Sequence, residues 1–174
     1  MSINLSGIIE EKLSVLLNAQ LRYIMRCADM GDFGFGEDTA FTDIRGITRL
    51  VSKYTLHLQC AFRLVNPQKI VLTNLDIYKE NSAAEWSEDF NWDILGANLY
   101  DEQAQKCSEL FSENAVYVVK VNAGKYGDVQ ITLSNNYVLE IFVNRSSDDE
   151  CWRFLEYGTE KEHFVITGQG IETQ

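Results

Sequence analysis

Histidine and proline are scarce in this 174-residue sequence, which has two histidines, His57 and His163, and one proline, Pro67. A transition-metal site needs several converging ligands, and neither histidine lies at ligand spacing from a cysteine or an aspartate. The sequence therefore predicts no metal site. Because proline is almost absent, it also predicts turns built from Gly, Asn and Asp.

Paired cysteines and long apolar runs are also missing. The four cysteines are widely spaced with no C-x-x-C pair, which excludes a zinc-finger motif and a dense disulfide framework. Glu10, Glu11 and Lys12 interrupt the apolar opening residues, unlike a secretion signal, and no apolar run reaches the roughly 18 residues of a membrane-spanning helix. We expect a reduced, cytoplasmic protein that does not enter a membrane.

Basic residues are outnumbered, with 15 Lys and Arg against 26 Asp and Glu, so the formal net charge is -11. Binding to nucleic acid draws its affinity from clustered Lys and Arg, and the composition therefore argues against a nucleic-acid partner. A net negative charge of this size favours a basic protein partner. The alternative is that the charge serves only to keep the protein soluble.

No motif for a cofactor or for catalysis is present. The glycines of GDFGFG, at positions 31, 34 and 36, lie between strand-like runs and do not open a helix, so they form no phosphate cradle. The sequence also has no GxSxG, P-loop, HExxH or DxDxDG segment. We predict no cofactor and a protein that is not an enzyme, although paired carboxylates can act without a local motif.

An internal near-repeat is the most informative pattern in the chain. The run that starts at Tyr54 is echoed by the run that starts at Tyr137, and each contains an aromatic residue followed by arginine, at 62–63 and at 152–153. The match extends backwards, where YIMR at 23–26 resembles YVVK at 117–120. The sequence predicts two copies of one unit, over residues 1–80 and 101–174, with residues 81–100 joining them in one compact domain.

Apolar periodicity predicts a helix at the start of each unit, over Leu5 to Asn18 and over Glu102 to Ser112. Alternating runs after each helix predict strands over 21–26, 33–35, 47–51, 54–60, 62–65, 69–72, 116–122, 129–134, 137–143, 152–157 and 163–168. The predicted fold class is α+β. It consists of an internal duplication of a helix plus a curved antiparallel β-meander, packed as a pseudo-dimer.

The joining segment is acidic and aromatic, which distinguishes it from a flexible Gly/Ser linker. Aromatic anchors ringed by charge are typical of protein interfaces, and the longer loop in the second copy adds further acids. We predict that a basic protein partner binds through Trp86, Glu88, Asp89, Trp92, Asp148 and Asp149. The alternative is that both loops are solvated and that the tryptophans pack on the protein's own core.

A second candidate site is a cleft between the units, lined by His57, Arg63, Glu140 and Arg153. An arginine within an apolar strand needs a carboxylate or an aromatic ring, and Asp76 and Glu140 are candidate partners of Arg63. The alternative is a structural ion pair repeated by the duplication. The cysteines that precede the two aromatic-Arg pairs, at 60 and 151, favour a repeated packing element over a nucleophile.

Several segments resemble a family of small, uncharacterised bacterial cytoplasmic proteins: LHLQCAFRL, LTNLDIY, NWDILGANLYDE, GDVQITLSNNYVLEIF and DDECWRF. The resemblance covers most of residues 45 to 170, with Ala61-Phe62 where Pro-Trp is expected. It implies an association with immunity to bacterial toxins. The resulting hypothesis is a non-enzymatic protein-binding module, an immunity protein or inhibitor of a basic bacterial toxin domain. The alternatives are a small-ligand-binding domain with a cleft between the units, and a hydrolase.

Overall fold

A computed structural model describes residues 4–83, 89–159 and 161–172 of the protein. The α-helices are α1 (Leu5–Leu13) and α2 (Leu99–Glu113), and two 3-10 helices span Ser14–Leu16 and Asn74–Tyr78. The strands are β1 (Leu21–Cys27), β2 (Met30–Thr42), β3 (Thr48–Leu58), β4 (Ala61–Val65), β5 (Ile70–Thr73), β6 (Val118–Ala123), β7 (Val129–Leu133), β8 (Val138–Phe142), β9 (Glu150–Glu156), β10 (Phe164–Thr167) and β11 (Gly170–Ile171).

Asparagine side chains fix the starts of both α-helices. The Asn4 side chain accepts a hydrogen bond from the Gly7 N–H, and the Asn98 side chain accepts one from the Asp101 N–H at 2.8 Å. These bonds satisfy N–H groups that have no partner within the helix. Within the described ranges, neither helix has the length and apolar character needed to span a bilayer.

The strands form two antiparallel sheets, so the predicted α+β class is confirmed. The first sheet has the order β1-β2-β3-β9-β10-β11, and the second has the order β5-β4-β8-β7-β6. Two three-stranded meanders, β1-β2-β3 and β6-β7-β8, therefore lie in different sheets. Each is extended by strands from the other half of the chain.

This exchange of strands differs from the single meander per unit that the sequence predicts. β9 pairs with β3, which places Arg153 opposite His57, and β4 pairs with β8, which places Arg63 opposite Glu140. The exchange satisfies the backbone groups along β3 and β8, which would otherwise be exposed sheet edges.

β2 and β3 are longer than predicted. The two runs predicted over 47–51 and 54–60 form one strand, because pairing with β2 continues through the polar Ser52, which lies opposite Asp38. β1 pairs with β2 only as far as Phe35, and β9 pairs with β3 only from Tyr54. Residues 38–52 therefore extend past the first sheet as a two-stranded arm.

The inner faces of the two sheets share one hydrophobic core. Phe33 of the first sheet meets Phe62 of the second edge to face, with ring centroids 5.6 Å apart. Trp152 is fully buried, and its Nε1–H donates to the Gly127 carbonyl at 2.9 Å. A Cβ atom on Gly31 would lie 2.5 Å from the Phe62 ring, so glycine is what allows this close approach.

The helices cover the sheet edges. α1 packs against β6, whereas α2 packs against the edge strand β1 and against the 3-10 helix at Asn74–Tyr78. The segment that joins the two halves of the chain leads directly into α2. The joining segment contacts both β1, through Arg26, and α2, through Asp101.

Candidate functional site

Arg26, near the end of β1, forms a buried ion pair with Asp101 in the first turn of α2. The two side chains are 3% and 9% exposed. Nε of Arg26 donates to Oδ1 of Asp101 at 2.8 Å, and Nη2 donates to Oδ2 at 2.9 Å. A two-point contact of this kind fixes direction as well as distance, so it sets how α2 lies against β1.

The same guanidinium group holds the joining segment. Nη2 of Arg26 also donates to the carbonyl oxygens of Trp92, Asp93 and Ile94, at 3.2, 3.4 and 3.3 Å. Oδ2 of Asp101 accepts a hydrogen bond from the N–H of Gly96 at 2.8 Å. Residues 92–96 are therefore tied to both β1 and α2.

A cavity of about 720 Å³ lies between β1, the joining segment and α2. Its volume falls within the roughly 300–1,000 Å³ that is usual for ligand sites. Hydrogen bonds from Lys106 and Ser82 hold the pKa of the Glu102 carboxyl well below its usual range, so this carboxylate is charged at neutral pH. The apolar lining comes from Ile24, Met25, Ala83, Leu95, Gly96 and Ala104, and the polar lining from Tyr23, Arg26, Asn81, Asp101, Glu102, Gln105 and Ser108.

Apolar side chains are exposed around this cavity. Leu95 is 82% exposed and Ile94 is 58% exposed. The Tyr78 ring packs on Trp92 with centroids 5.3 Å apart, so it is continuous with the joining segment. Apolar patches rimmed by charge mark interaction sites. We call this set the junction surface: Met25, Tyr78, Ile94 and Leu95, with the exposed carboxylates Asp29, Asp89 and Asp93.

Four of the predicted partner-binding residues fall in or next to the joining segment. Trp86 and Glu88 lie outside the described residues. Asp89 is exposed and belongs to the junction surface. Trp92 is half-buried and packs against Tyr78 and the hydrophobic core, which is the alternative that the sequence left open for the tryptophans.

The other two predicted partner-binding residues, Asp148 and Asp149, are exposed in the loop between β8 and β9. This loop contacts the turn between β10 and β11, where the Gln169 amide donates to the Ser146 carbonyl. The joining segment instead contacts β1, and β1 and β11 are the two ends of the first sheet. The fold therefore places the two acidic loops against opposite ends of one sheet.

The four residues predicted to line a cleft form two pairs, one in each sheet. In the second sheet, Nε of Arg63 donates to Oε2 of Glu140 at 2.5 Å, and Gln130 donates to Oε1 of Glu140 at 3.1 Å. In the first sheet, His57 lies opposite Arg153. The structure brings each pair together, but it does not bring the two pairs together.

The first sheet carries a row of Asp32, His57 and Arg153 that is incompletely hydrogen-bonded. Oδ1 of Asp32 is buried without a hydrogen-bond partner among the described residues, and it lies 3.8 Å from Nε2 of His57. Burial raises the pKa of Asp32 to about 6, whereas burial and the neighbouring Arg153 lower the pKa of His57. At neutral pH the row thus contains a poorly solvated carboxylate beside a neutral imidazole.

The cysteines act as small apolar residues at three of their four positions. Cys60, Cys107 and Cys151 are buried and Cys27 is exposed, and none is in a disulfide. Burial raises the pKa of Cys60 to about 12 and that of Cys107 to about 11, and it also raises the pKa of Cys151. These thiols are protonated at neutral pH, which is unfavourable for a nucleophile.

Within the parts of the chain that the structure describes, no group of three or more His, Cys, Asp or Glu side chains is arranged to hold a metal ion. No protein-family model, curated protein or solved structure matches the chain. The resemblance to uncharacterised bacterial proteins therefore stays a prediction. The junction surface is the feature of the structure that bears on function.

Arg26 and Asp101 are not among the predicted site residues. A signal is present, since Arg26 lies in an apolar strand as Arg63 and Arg153 do. Its partner, however, is 75 residues away on a helix, and no local pattern links the two.

We expect Arg26→Ala to lower the free energy of unfolding by about 3–5 kcal/mol, because Asp101 would be left buried without its counter-charge. The matched control is Arg22→Ala on the same strand, whose ion pair with Asp38 joins side chains that are 38% and 46% exposed. An exposed pair contributes at most about 1 kcal/mol. Urea unfolding of both variants measures the difference, and equal losses would contradict a special role for Arg26.

The raised pKa of Asp32 predicts that the stability of the folded protein depends on pH. Its pKa rises from 3.8 to about 6 on folding, so between these values the folded state binds more protons than the unfolded state, and stability falls as pH rises. Relative to Asp32→Asn, the wild type should lose about 1–2 kcal/mol between about pH 5 and pH 8. Urea unfolding at both pH values tests this, with Asp38→Asn as an exposed-carboxylate control. Parallel pH dependence in wild type and Asp32→Asn would refute it.

Proposed function

We propose that this protein is a non-enzymatic protein-binding module that recognises a basic partner through the junction surface. An immunity protein or an inhibitor of a basic bacterial toxin domain would act in this way. One observation carries the proposal: exposed apolar side chains lie around a cavity together with exposed carboxylates, and the buried pair of Arg26 and Asp101 holds residues 92–96 in place.

The apolar side chains supply the affinity in this proposal. Burying a fully exposed Leu or Ile side chain contributes roughly 1.5–3 kcal/mol, and both Ile94 and Leu95 are largely exposed. Their backbone is already held by Arg26 and Asp101, so little ordering is needed when a partner binds. Preorganisation of this kind preserves affinity that a flexible loop would lose.

The acidic residues supply attraction at longer range. Asp89 and Asp93 lie beside the apolar side chains, and a net charge of -11 draws a basic protein towards the whole surface. Asp148 and Asp149, at the other end of the first sheet, would contribute to this steering without contacting the same part of the partner. In the same proposal Trp86 is a further anchor and Glu88 a further steering charge.

The test begins with capture of a partner from a lysate of the source organism, on immobilised wild type and on Leu95→Asp. We expect a protein with a basic binding domain to be retained by the wild type and lost by the variant, because a charge at position 95 disrupts the apolar contact. Val119→Asp is the matched control, since Val119 is 52% exposed on β6, and β6 does not line the cavity.

The captured partner is then purified and its binding kinetics are measured over a range of salt concentrations. Reversing the charges of Asp89 and Asp93 to lysine should lower the association rate and flatten its salt dependence. The same reversal at Asp148 and Asp149 tests whether the second loop steers. A partner that binds Leu95→Asp as well as the wild type, or shows no salt dependence, would sink the proposal.

A small-ligand-binding function is the second candidate, and the cavity favours it. The cavity lies between β1 of the first half and α2 of the second, as expected for a cleft between units, although none of the residues predicted to line that cleft contributes to it. Ala104→Phe would fill it from the helix side. If the cavity binds small molecules, fragments that raise the thermal midpoint of the wild type should fail to stabilise Ala104→Phe. Equal stabilisation of both proteins would remove this candidate.

We infer an internal duplication from the order and pairing of the elements. A helix followed by a series of antiparallel strands occurs in each half of the chain, with five strands in the first half and six in the second. Tyr54 and Tyr137 occupy matching positions in the repeat, and so do Arg63 and Arg153. With this correspondence, the pairing of β3 with β9 repeats the pairing of β8 with β4 residue by residue. The pseudo-dimer that we propose is therefore one in which the first half donates β4 and β5 to the second sheet and the second half donates β9, β10 and β11 to the first.

A cytoplasmic location belongs to the same proposal. Its support is the state of the cysteines, since three of the four are buried as unpaired thiols. Such thiols persist in a reducing compartment, whereas exported proteins commonly form disulfides.

A further inference from the structure

The arm, residues 38–52, ends in a rigid turn. Two residues before the turn, Phe41 packs against Tyr157 with ring centroids 4.9 Å apart. At the tip, Oδ1 of Asp43 accepts hydrogen bonds from the N–H groups of Arg45 and Ile47, at 2.9 and 3.0 Å. An aspartate that binds the backbone ahead of it stabilises a turn. The tip is therefore held in one conformation.

The tip of the arm is both apolar and basic. Ile44 has the full exposure of an isolated side chain, at 104%, and Leu50 is 72% exposed. Arg45 and Arg49 are exposed beside them. Asp43 is the one acidic residue between positions 42 and 50, and its carboxylate is used within the turn. Such a tip matches a surface that combines apolar side chains with carboxylates.

The junction surface has this complementary chemistry. Its cavity is lined by the apolar Met25 and Leu95, and the 64% exposed side chain of Asp93 lies 3.9 Å from the cavity-lining Arg26. The lining carboxylates of Asp101 and Glu102 are already paired with Arg26 and Lys106, so the negative charge available to an incoming cation is that of Asp93. The cavity volume of about 720 Å³ can admit aliphatic side chains such as isoleucine. One chain therefore presents both an apolar, basic projection and an apolar, acidic recess.

The arm does not reach the cavity of its own molecule. Leu21, at the start of β1, pairs with Phe35, and Arg26, near its end, pairs with Gly31. The arm continues from Phe35 away from the Arg26 end of the sheet, whereas the cavity lies against residues 23–26. The complementary surfaces can meet only between two molecules.

We propose that the arm tip of one copy inserts into the junction cavity of a second copy, with Ile44 and Ile47 against Leu95 and with Arg45 facing Asp93. A second copy is the occupant because the chain itself supplies both surfaces with opposite charge. Two reciprocal insertions related by a two-fold axis close the assembly as a dimer. Because each contact is small, the dimer should dissociate with a constant on the order of 10–100 µM.

This self-association goes beyond the binding of an outside partner and does not depend on it. In the dimer each arm covers the junction surface of the other copy. A basic partner therefore has to displace the arm, and variants without a functional arm should bind that partner more tightly than the wild type does. The arm of one copy thus competes with the basic partner for the junction surface of the other copy.

Sedimentation velocity of the full chain, from about 5 to 500 µM, tests the proposal through the concentration dependence of its mass. The wild type should shift from monomer to dimer. Ile44→Asp/Ile47→Asp, which alters the arm, and Leu95→Asp, which alters the cavity, should each raise the dissociation constant at least about tenfold. Val119→Asp is the control with an exposed apolar residue elsewhere, and it should dimerise like the wild type.

A mixing experiment distinguishes insertion of the arm into the cavity from other contacts. The arm variant retains an intact cavity and Leu95→Asp retains an intact arm, so an equimolar mixture keeps one of the two contacts. It should associate more weakly than the wild type but more strongly than either variant alone. A monomeric wild type at all concentrations, an arm variant that dimerises like the wild type, or a mixture that associates no more than the separate variants would each overturn the proposal. Binding of a monomeric wild type to vesicles of anionic phospholipid would overturn it too, and would assign the tip to a membrane surface.

Discussion

The region around the proposed binding surface depends on the ion pair between Arg26 and Asp101. A guanidinium group that is 3% exposed is costly to bury unless acceptors surround it. Here the acceptors come from three places: the Asp101 carboxylate on α2, the carbonyl of Ala28 after β1, and the carbonyls of the joining segment. Displacing any of these elements leaves N–H groups without partners. One side chain therefore couples an edge strand, a helix and the segment between the two halves of the chain.

The exchange of strands between the halves provides the frame for this coupling. β3 and β8 would be open edges if each half kept its own strands, and β9 and β4 cover them. The core then forms between the sheets, where Phe33 meets Phe62 and Trp152 bonds to the Gly127 backbone. Because the sheets are completed in this way, β1 remains an edge strand, which allows α2 and the joining segment to pack beside it.

Periodicity predicted the α+β class, both helices and most strands, because alternation of burial is a local property of the sequence. Pairing between strands of different halves leaves no such local trace, so the exchange was not predicted. Glu140 was one of two predicted partners of Arg63, and the other, Asp76, instead accepts a hydrogen bond from the Thr73 N–H. Exposure could not be predicted: an apolar residue in a loop, such as Leu95 or Ile44, has the same local sequence whether it is packed or projects into solvent.

In the duplication that we propose, Arg26 corresponds to Lys120, and this difference accounts for a surface that forms beside β1 and not beside β6. Lys120 is exposed on β6, where α1 packs. An ammonium group is a point charge without the planar fork of a guanidinium, so it cannot bind a carboxylate at two points while holding several carbonyls. In that duplication the halves share the pairing of β3 with β9 and of β8 with β4, and the position of Arg26 is free to differ. There a forked, buried cation holds residues 92–96 against α2.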